Sequence, residues 1–335
     1  MNALDGLRNA NSVVVADTAD FSEIACFKPS EGTTNPSIIY QAALLPKYAN
    51  IVQRSVAYTR GLDASLSTSE RLDRAAEHLA VEFGVEIYKL TGGISTEVDV
   101  TLSFNTSATV DAALRVIELY KQHDVPKEAV RIKIAATWEG IQAARILEEK
   151  HGVSVLVTVV LGLVQAIAAA EAGASCIAPY VGPIGDWHKV NALAAQKSGT
   201  DVHVGVEKAK EMQNYLRKFG YKTKVMGAGF QSTGQVTSLA GMDLLTIPPE
   251  LLRELDILDG NVPVQLTAET VSALELPRIS YIDDESNFRW DFNADACAVE
   301  MSAAAMRNFA ADTERLKAFL AERACSFQNS TTPVT

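Results

Sequence analysis

Short apolar runs alternate with longer amphipathic segments along almost the whole chain. Ser12–Ala16 is apolar and β-branched, and it ends at Asp17. Gly32-Thr33-Thr34-Asn35-Pro36 follows and opens a long helical stretch to about Thr59. A helix is predicted over Ser69–Phe83, capped by Ser67, Thr68 or Ser69. Strand Ile94–Val98 carries Glu97, and a helix over Ala108–His123 leads into the strand Ala129–Ala136. Next come a helix over Trp138–His151, strand Ser154–Leu161 with Thr158, helix Val164–Ala172 and strand Ser175–Val181. A helix over Val202–Phe219, strand Thr223–Ala228, a short helix, strand Leu244–Ile247 and a helix opened by Pro248-Pro249 complete the alternation. With the short run that ends at Asn35 counted as a strand, eight strand candidates in βα order predict a closed parallel barrel or a doubly wound sheet. No GxGxxG or Walker motif marks a nucleotide crevice, which favours the barrel. Leu258–Trp290 reads as an irregular connection and Ala294–Arg323 as a long amphipathic helix. Residues 1–325 are expected to form one domain, and Ser326–Thr335, rich in Ser and Thr, a disordered tail.

The polar residues inside this apolar pattern carry the chemistry. Val130, Ile132 and Ile134 point to one face of their strand, and Arg131, Lys133 and Ala135 to the other. A mid-strand lysine salt-bridges, snorkels or does chemistry, because burying an ammonium is costly. Desolvation lowers a lysine pKa, and a neutral amine attacks carbonyls to form a Schiff base. Asp17 and Glu97 come from two other strands, and two carboxylates near one amine suit the proton transfers of imine chemistry. In a barrel, catalytic groups belong at the C-terminal strand ends, where Asp17 and Asn35 lie. Arg131 reads as an arginine near a strand start that snorkels to the barrel bottom.

Composition narrows the partners. The net charge of −11 argues against a nucleic-acid partner and gives anionic substrates no general attraction. Met1–Ala10 is polar and the longest apolar runs are interrupted, so neither a secretory leader nor a membrane span is expected. Four scattered cysteines without CxxC spacing are expected to be free thiols in the cytoplasm. The spacing of the five histidines is read as offering no metal site.

Several blocks resemble the transaldolase family of class I Schiff-base enzymes. They are Val-Ala-Asp-Thr (15–18), Thr-Thr-Asn-Pro-Ser (33–37), Ser-Thr-Glu-Val-Asp (95–99) and Ile-Lys-Ile-Ala-Ala-Thr-Trp-Glu-Gly-Ile (132–141). Val181-Gly182, Asp186-Trp187 and Met226-Gly227-Ala228 continue the register, and Met306–Leu316 is similar to the family's C-terminal helix. The resemblance implies a (β/α)8 TIM barrel with an additional C-terminal helix and no cofactor. It implies that Lys133 forms the imine and that Asp17 deprotonates the hydroxyl whose collapse breaks the C–C bond. Glu97 would shuttle protons through a water held by Thr158, while Thr33 and Asn35 would hold that network and a donor hydroxyl. The family often dimerises, and Ala303, Ala304, Met306 and Phe309 offer an apolar face either for a homodimer or for covering the barrel.

The departures cluster in substrate recognition. The family's strand-six block usually reads Ser-Pro-Phe-Val-Gly-Arg, where this chain has Ala178-Pro179-Tyr180-Val181-Gly182-Pro183. The strand-seven block usually reads Gly-Ala-Ser-Phe-Arg, where this chain has Gly227-Ala228-Gly229-Phe230-Gln231. The two phosphate-gripping arginines thus fall on Pro183 and Gln231, at about 1.5–3 kcal/mol for each lost contact. Lys189 and Lys224 are the candidates to replace them. The Ser and Asn that bind the donor's terminal hydroxyl fall on Ala178 and Leu156. Tyr180, in place of Phe, resembles the fructose-6-phosphate aldolases, although Glu97 stands where those enzymes carry Gln. The expected substrates are a hydroxyacetone- or dihydroxyacetone-like ketone, not phosphorylated, and an aldehyde. The competing readings are an ordinary pentose-phosphate-pathway transaldolase and a non-catalytic descendant that binds a metabolite or partner.

Overall fold

The computed structural model describes residues 1–194, 204–267, 271 and 275–330. Eight strands close into a barrel in chain order: β1 (Val13–Asp17), β2 (Glu31–Thr33), β3 (Ile94–Glu97), β4 (Val130–Ala135), β5 (Val155–Val160), β6 (Cys176–Pro179), β7 (Lys224–Gly227) and β8 (Leu244–Ile247). Neighbours are parallel throughout, and β1 pairs with β8 to close the ring. The expected (β/α)8 barrel with a C-terminal helix is therefore the observed fold.

Strand alternation sorts the core into two layers. Val14, Ala16, Val130, Ile132, Ile134, Val155 and Val157 face the surrounding helices. Val15, Leu156, Cys176, Met226 and Leu244 fill the barrel interior, with Ala178 and Ala228 above them. The interior is thus packed with side chains, and in this fold the catalytic groups belong at the C-terminal strand ends.

One local distortion matters for the site. Val159 has φ +59°, and the β5–β6 register shifts between Val157 and Val160. A β-branched residue in the left-handed region is strained by about 1–3 kcal/mol. The irregularity follows Thr158 directly, and beyond it the Val160 carbonyl accepts from Tyr180 N at 3.0 Å.

Several helix boundaries differ from expectation. The stretch ending near Thr59 splits into Pro36–Ala43 and Ala49–Tyr58, because Leu45, before Pro46, is held extended. The helix expected over Ser69–Phe83 runs from Thr68 to Thr91, starts at a Ser67–Glu70 capping box and stops at Gly92 (φ +82°). Helices Ala3–Asn9 and Val181–Ala194 were not expected; the second begins with two glycines and a proline, which mask its periodicity. The helix expected from Val202 is described from Val204, since Val202 and His203 lie outside the described residues.

Leu258–Trp290 is not wholly irregular, because helix Glu285–Ala294 starts within it, capped by Asp284. Its Phe288 is buried with the Trp138 ring 5.3 Å away. The C-terminal helix spans Ala296–Ser330, so it includes the first residues of the segment expected to be disordered; 331–335 lie outside the described residues. Met306 and Phe309 pack over the barrel beside Ala135, Val159 and Leu161, which is the covering role of the apolar face. No described helix is long and apolar enough to cross a membrane.

Candidate active site

The parallel register places Lys133 directly opposite Glu97 on β3 and Leu156 on β5. The Lys133 Nζ lies 3.3 Å from Glu97 Oε2 and donates to the Thr34 carbonyl at 3.0 Å. Both side chains are nearly sealed from solvent, at 6% and 2% exposure. Neither Glu97 oxygen accepts a well-aligned hydrogen bond from the described residues, so the carboxylate's proton-accepting capacity is directed at the lysine.

Asp17, at the end of β1, accepts from Thr33 Oγ1 at 2.8 Å, and Thr33 Oγ1 lies 2.6 Å from Thr246 Oγ1. Asn35 caps helix Pro36–Ala43, its Oδ1 accepting from Ile38 N at 2.9 Å. That bond leaves the amide NH2 as the group able to donate toward a substrate. Thr158 Oγ1 lies 3.2 Å from the Tyr180 hydroxyl. Lys133, Asp17, Thr33, Asn35, Thr158, Tyr180 and Thr246 line a single cavity of about 120 Å³, whose wall also includes Leu156, Ala178, Met226 and Phe309. Glu97 lies just beyond it, lining a smaller space with Thr34 and Asn35.

Burial raises the Asp17 carboxyl above its ordinary range, although the Lys133 charge and the Thr33 hydroxyl pull it down. Burial likewise raises Glu97 against the attraction of Lys133. The expectation of a desolvated, depressed lysine is corrected here. Burial does lower Lys133, but Glu97, Tyr180 and Asp17 together more than offset it, and its pKa lies above the ordinary lysine range. The carboxyls hold protons more readily than usual while the amine stays charged, so the three groups titrate as a coupled set. Burial pushes the Tyr180 phenol up to about 12, which keeps it a neutral donor at physiological pH.

A lysine amine flanked by two proton acceptors, at the C-terminal mouth of a packed barrel, is arranged for carbonyl chemistry. Residues 14–320 match the family model described as Transaldolase/Fructose-6-phosphate aldolase. The chain belongs to this family. Proteins named transaldolase from Saccharomyces cerevisiae, Fusarium oxysporum and Homo sapiens are 46%, 44% and 44% identical to it. The alignments cover 93%, 96% and 98% of this chain and 92%, 99% and 96% of those proteins, respectively. The chain is thus an enzyme of the transaldolase family.

The substrate-contact expectations divide at this point. Ala178, Leu156 and Tyr180 line the cavity beside the catalytic candidates. Pro183 and Gln231 do not. Pro183 stands in the first turn of helix Val181–Ala194, where a Cβ on Gly229 (φ +66°) would meet its ring at 3.2 Å. The exposed Gln231 amide donates to Asp186 Oδ2 at 2.6 Å. Lys224 lies among Arg131, Ser154 and Ser175 at the opposite, N-terminal end of the barrel, and Lys189 is exposed on its helix. Arg131 is paired with Glu31 on β2, as the barrel-bottom reading expects.

Thr246, Met226 and the Thr34 carbonyl were not singled out from the sequence. Inward strand parity, which places Leu244 inside, marks Thr246 equally. All four cysteines are free. The reading of no metal site overlooked His78 and Glu82, four residues apart on helix Thr68–Thr91 and close to His123.

Proposed function

We propose that this family member makes or breaks a C–C bond between a non-phosphorylated ketone donor, hydroxyacetone- or dihydroxyacetone-like, and an aldehyde. Lys133 gives a proton to Glu97 at 3.3 Å, and the freed amine adds to the donor carbonyl. The resulting carbinolamine loses water, with Glu97 and the Thr158–Tyr180 pair returning the protons. With a free ketone, Asp17 removes a proton from the carbon beside the imine carbon, which gives the enamine directly; with an aldol as donor, Asp17 takes the proton from the hydroxyl on the second carbon from the imine carbon, leaving an oxyanion. That oxyanion collapses to the aldehyde, and the C–C electron pair moves into the imine to give an enamine on Lys133. The enamine then attacks an acceptor aldehyde or is protonated and hydrolysed.

The observation carrying the donor assignment is the absence of cationic side chains at both expected phosphate positions. Pro183 has no charge, and Gln231 is tied to the Asp186 carboxylate. Apart from Lys133, none of the described residues lining the cavity is a cation. The donor's terminal carbon would meet Ala178 and Leu156, where a hydroxyl lacks a partner at a cost of roughly 1–3 kcal/mol. A cytoplasmic enzyme without nucleic-acid or membrane partners belongs to the same reading.

The identity of 44–46% to proteins named transaldolase favours a second reading, ordinary transfer between sugar phosphates. Borohydride trapping with peptide mass mapping separates the two. Adducts on Lys133 from hydroxyacetone and dihydroxyacetone but not from fructose 6-phosphate support the first. Efficient trapping and turnover of fructose 6-phosphate with erythrose 4-phosphate would establish the second. A higher kcat/KM for dihydroxyacetone than for hydroxyacetone would remove the methyl-ketone preference.

A further inference from the structure

We propose that His78, Glu82 and His123 bind a divalent transition-metal ion of the zinc class at a site outside the barrel cavity. Among the described residues, theirs is the group of three metal-ligating side chains whose ligand atoms converge, all within 4.8 Å of one another. His78 and Glu82 share one face of helix Thr68–Thr91, and His123 is the C-cap of helix Thr106–Gln122. The two Nε2 atoms lie 3.8 and 3.6 Å from the same oxygen, Glu82 Oε1. Tetrahedral zinc with bonds of about 2.0–2.2 Å sets ligand atoms roughly 3.4 Å apart, so the two histidine–glutamate distances need a few tenths of an ångström of contraction, and the set as a whole closes from within 4.8 Å.

The surroundings hold these ligands in binding orientation. The Ser55 hydroxyl, 3.3 Å from the Ile51 carbonyl, lies 3.0 Å from His78 Nδ1 and holds the ring through that nitrogen. With the proton on Nδ1, directed at Ser55, the His78 Nε2 lone pair faces Glu82 Oε1 and is available to a cation. A ligating histidine held through its other nitrogen is the usual supporting arrangement of a metal site. The Tyr58 ring stacks on His78 with centroids 4.2 Å apart, which restrains the imidazole. Arg54 Nε binds Glu82 Oε2 at 2.7 Å and leaves Oε1 free. The His123 side chain is 32% exposed, so the open coordination positions face water. Two imidazoles and a carboxylate suit Zn2+ or Co2+ rather than Mg2+ or Ca2+. The bound ion would tie the two helices together.

The test titrates the EDTA-dialysed full-length protein with ZnCl2 by calorimetry and with CoCl2 by absorption. One saturable equivalent is expected, with a rise in Tm. The cobalt spectrum should show ligand-field bands and no thiolate charge-transfer band, which excludes the exposed Cys26 and Cys325. His123→Ala should weaken binding at least tenfold, and Ser55→Ala about 10–100-fold. Ketone turnover in His123→Ala should match the wild type. Absence of saturable binding, a thiolate spectrum, or unchanged affinity in His123→Ala would overturn the site. Should Ser55→Ala not fold, His123→Ala decides alone.

Discussion

Lys133 and Glu97 are register partners on adjacent parallel strands, and their charged atoms meet at 3.3 Å inside the barrel. The pairing keeps the amine protonated at rest and gives it a nearby base. Glu97→Gln removes both effects. The Lys133 titration, read from the pH dependence of borohydride trapping, should move down, because burial then acts with less opposition. Ketone turnover should nevertheless fall by about 100-fold, because general-base assistance is lost. Lys133→Met should give no adduct at all.

Asp17 and Thr33 govern the acid limb of the pH–rate profile. Burial raises the Asp17 pKa, so the base is lost, as pH falls, at a higher pH than for an ordinary carboxylate. The Thr33 bond favours the charged form; Thr33→Val should therefore shift the acid limb to still higher pH. An unshifted limb would show that Asp17 is not the titrating base.

The same raised pKa has a stability consequence. A carboxylate raised above its unfolded value of 3.8 costs stability once it must ionise in the fold. Asp17→Asn should therefore be more stable than the wild type near pH 7. That advantage should vanish below about pH 3.8, as urea midpoints at the two pH values will show.

On the proposed reading, Gln231 occupies a position where a phosphate-binding arginine would stand. Gln231→Arg alone should gain little on fructose 6-phosphate, because Asp186 will engage the new guanidinium as it engages the amide. Gln231→Arg with Asp186→Asn should raise kcat/KM for that substrate by about tenfold or more, from one restored charge-assisted contact. Kinetics of both variants against a free ketone and the sugar phosphate provide the check.

Gly84 sits inside helix Thr68–Thr91, where alanine would ordinarily stabilise by about 1 kcal/mol. Here a Cβ would fall on the Tyr120 hydroxyl, which is buried and bonded to Thr96 of β3. Gly84→Ala should therefore destabilise by about 1–3 kcal/mol in urea denaturation.

The barrel and most of the cavity were legible in the chain itself. Strand periodicity placed Lys133, Asp17 and Glu97 on polar positions of apolar strands, and strand alternation is a local property of two-residue period. Thr158, Ala178, Leu156 and Tyr180 could be assigned for the same reason, once the motif order supplied the register. Helix Val181–Ala194 was hidden because its glycines and proline blur helical periodicity. The length of helix Thr68–Thr91 was hidden because Gly84 looks like a breaker until Tyr120 is seen packed against it.

By itself, then, the sequence determined the fold class, the family and the mid-strand lysine with carboxylates on neighbouring strands, because these depend on local pattern and residue chemistry. Only the tertiary structure decided the charge state of Lys133, where burial and carboxylates from separate strands oppose one another. It also decided that Lys224 stands at the wrong end of the barrel and that Asp186 holds Gln231. His123 joins His78 and Glu82 only because two helices pack side by side. Each of these outcomes depends on distances between residues far apart in the chain, which no local periodicity encodes.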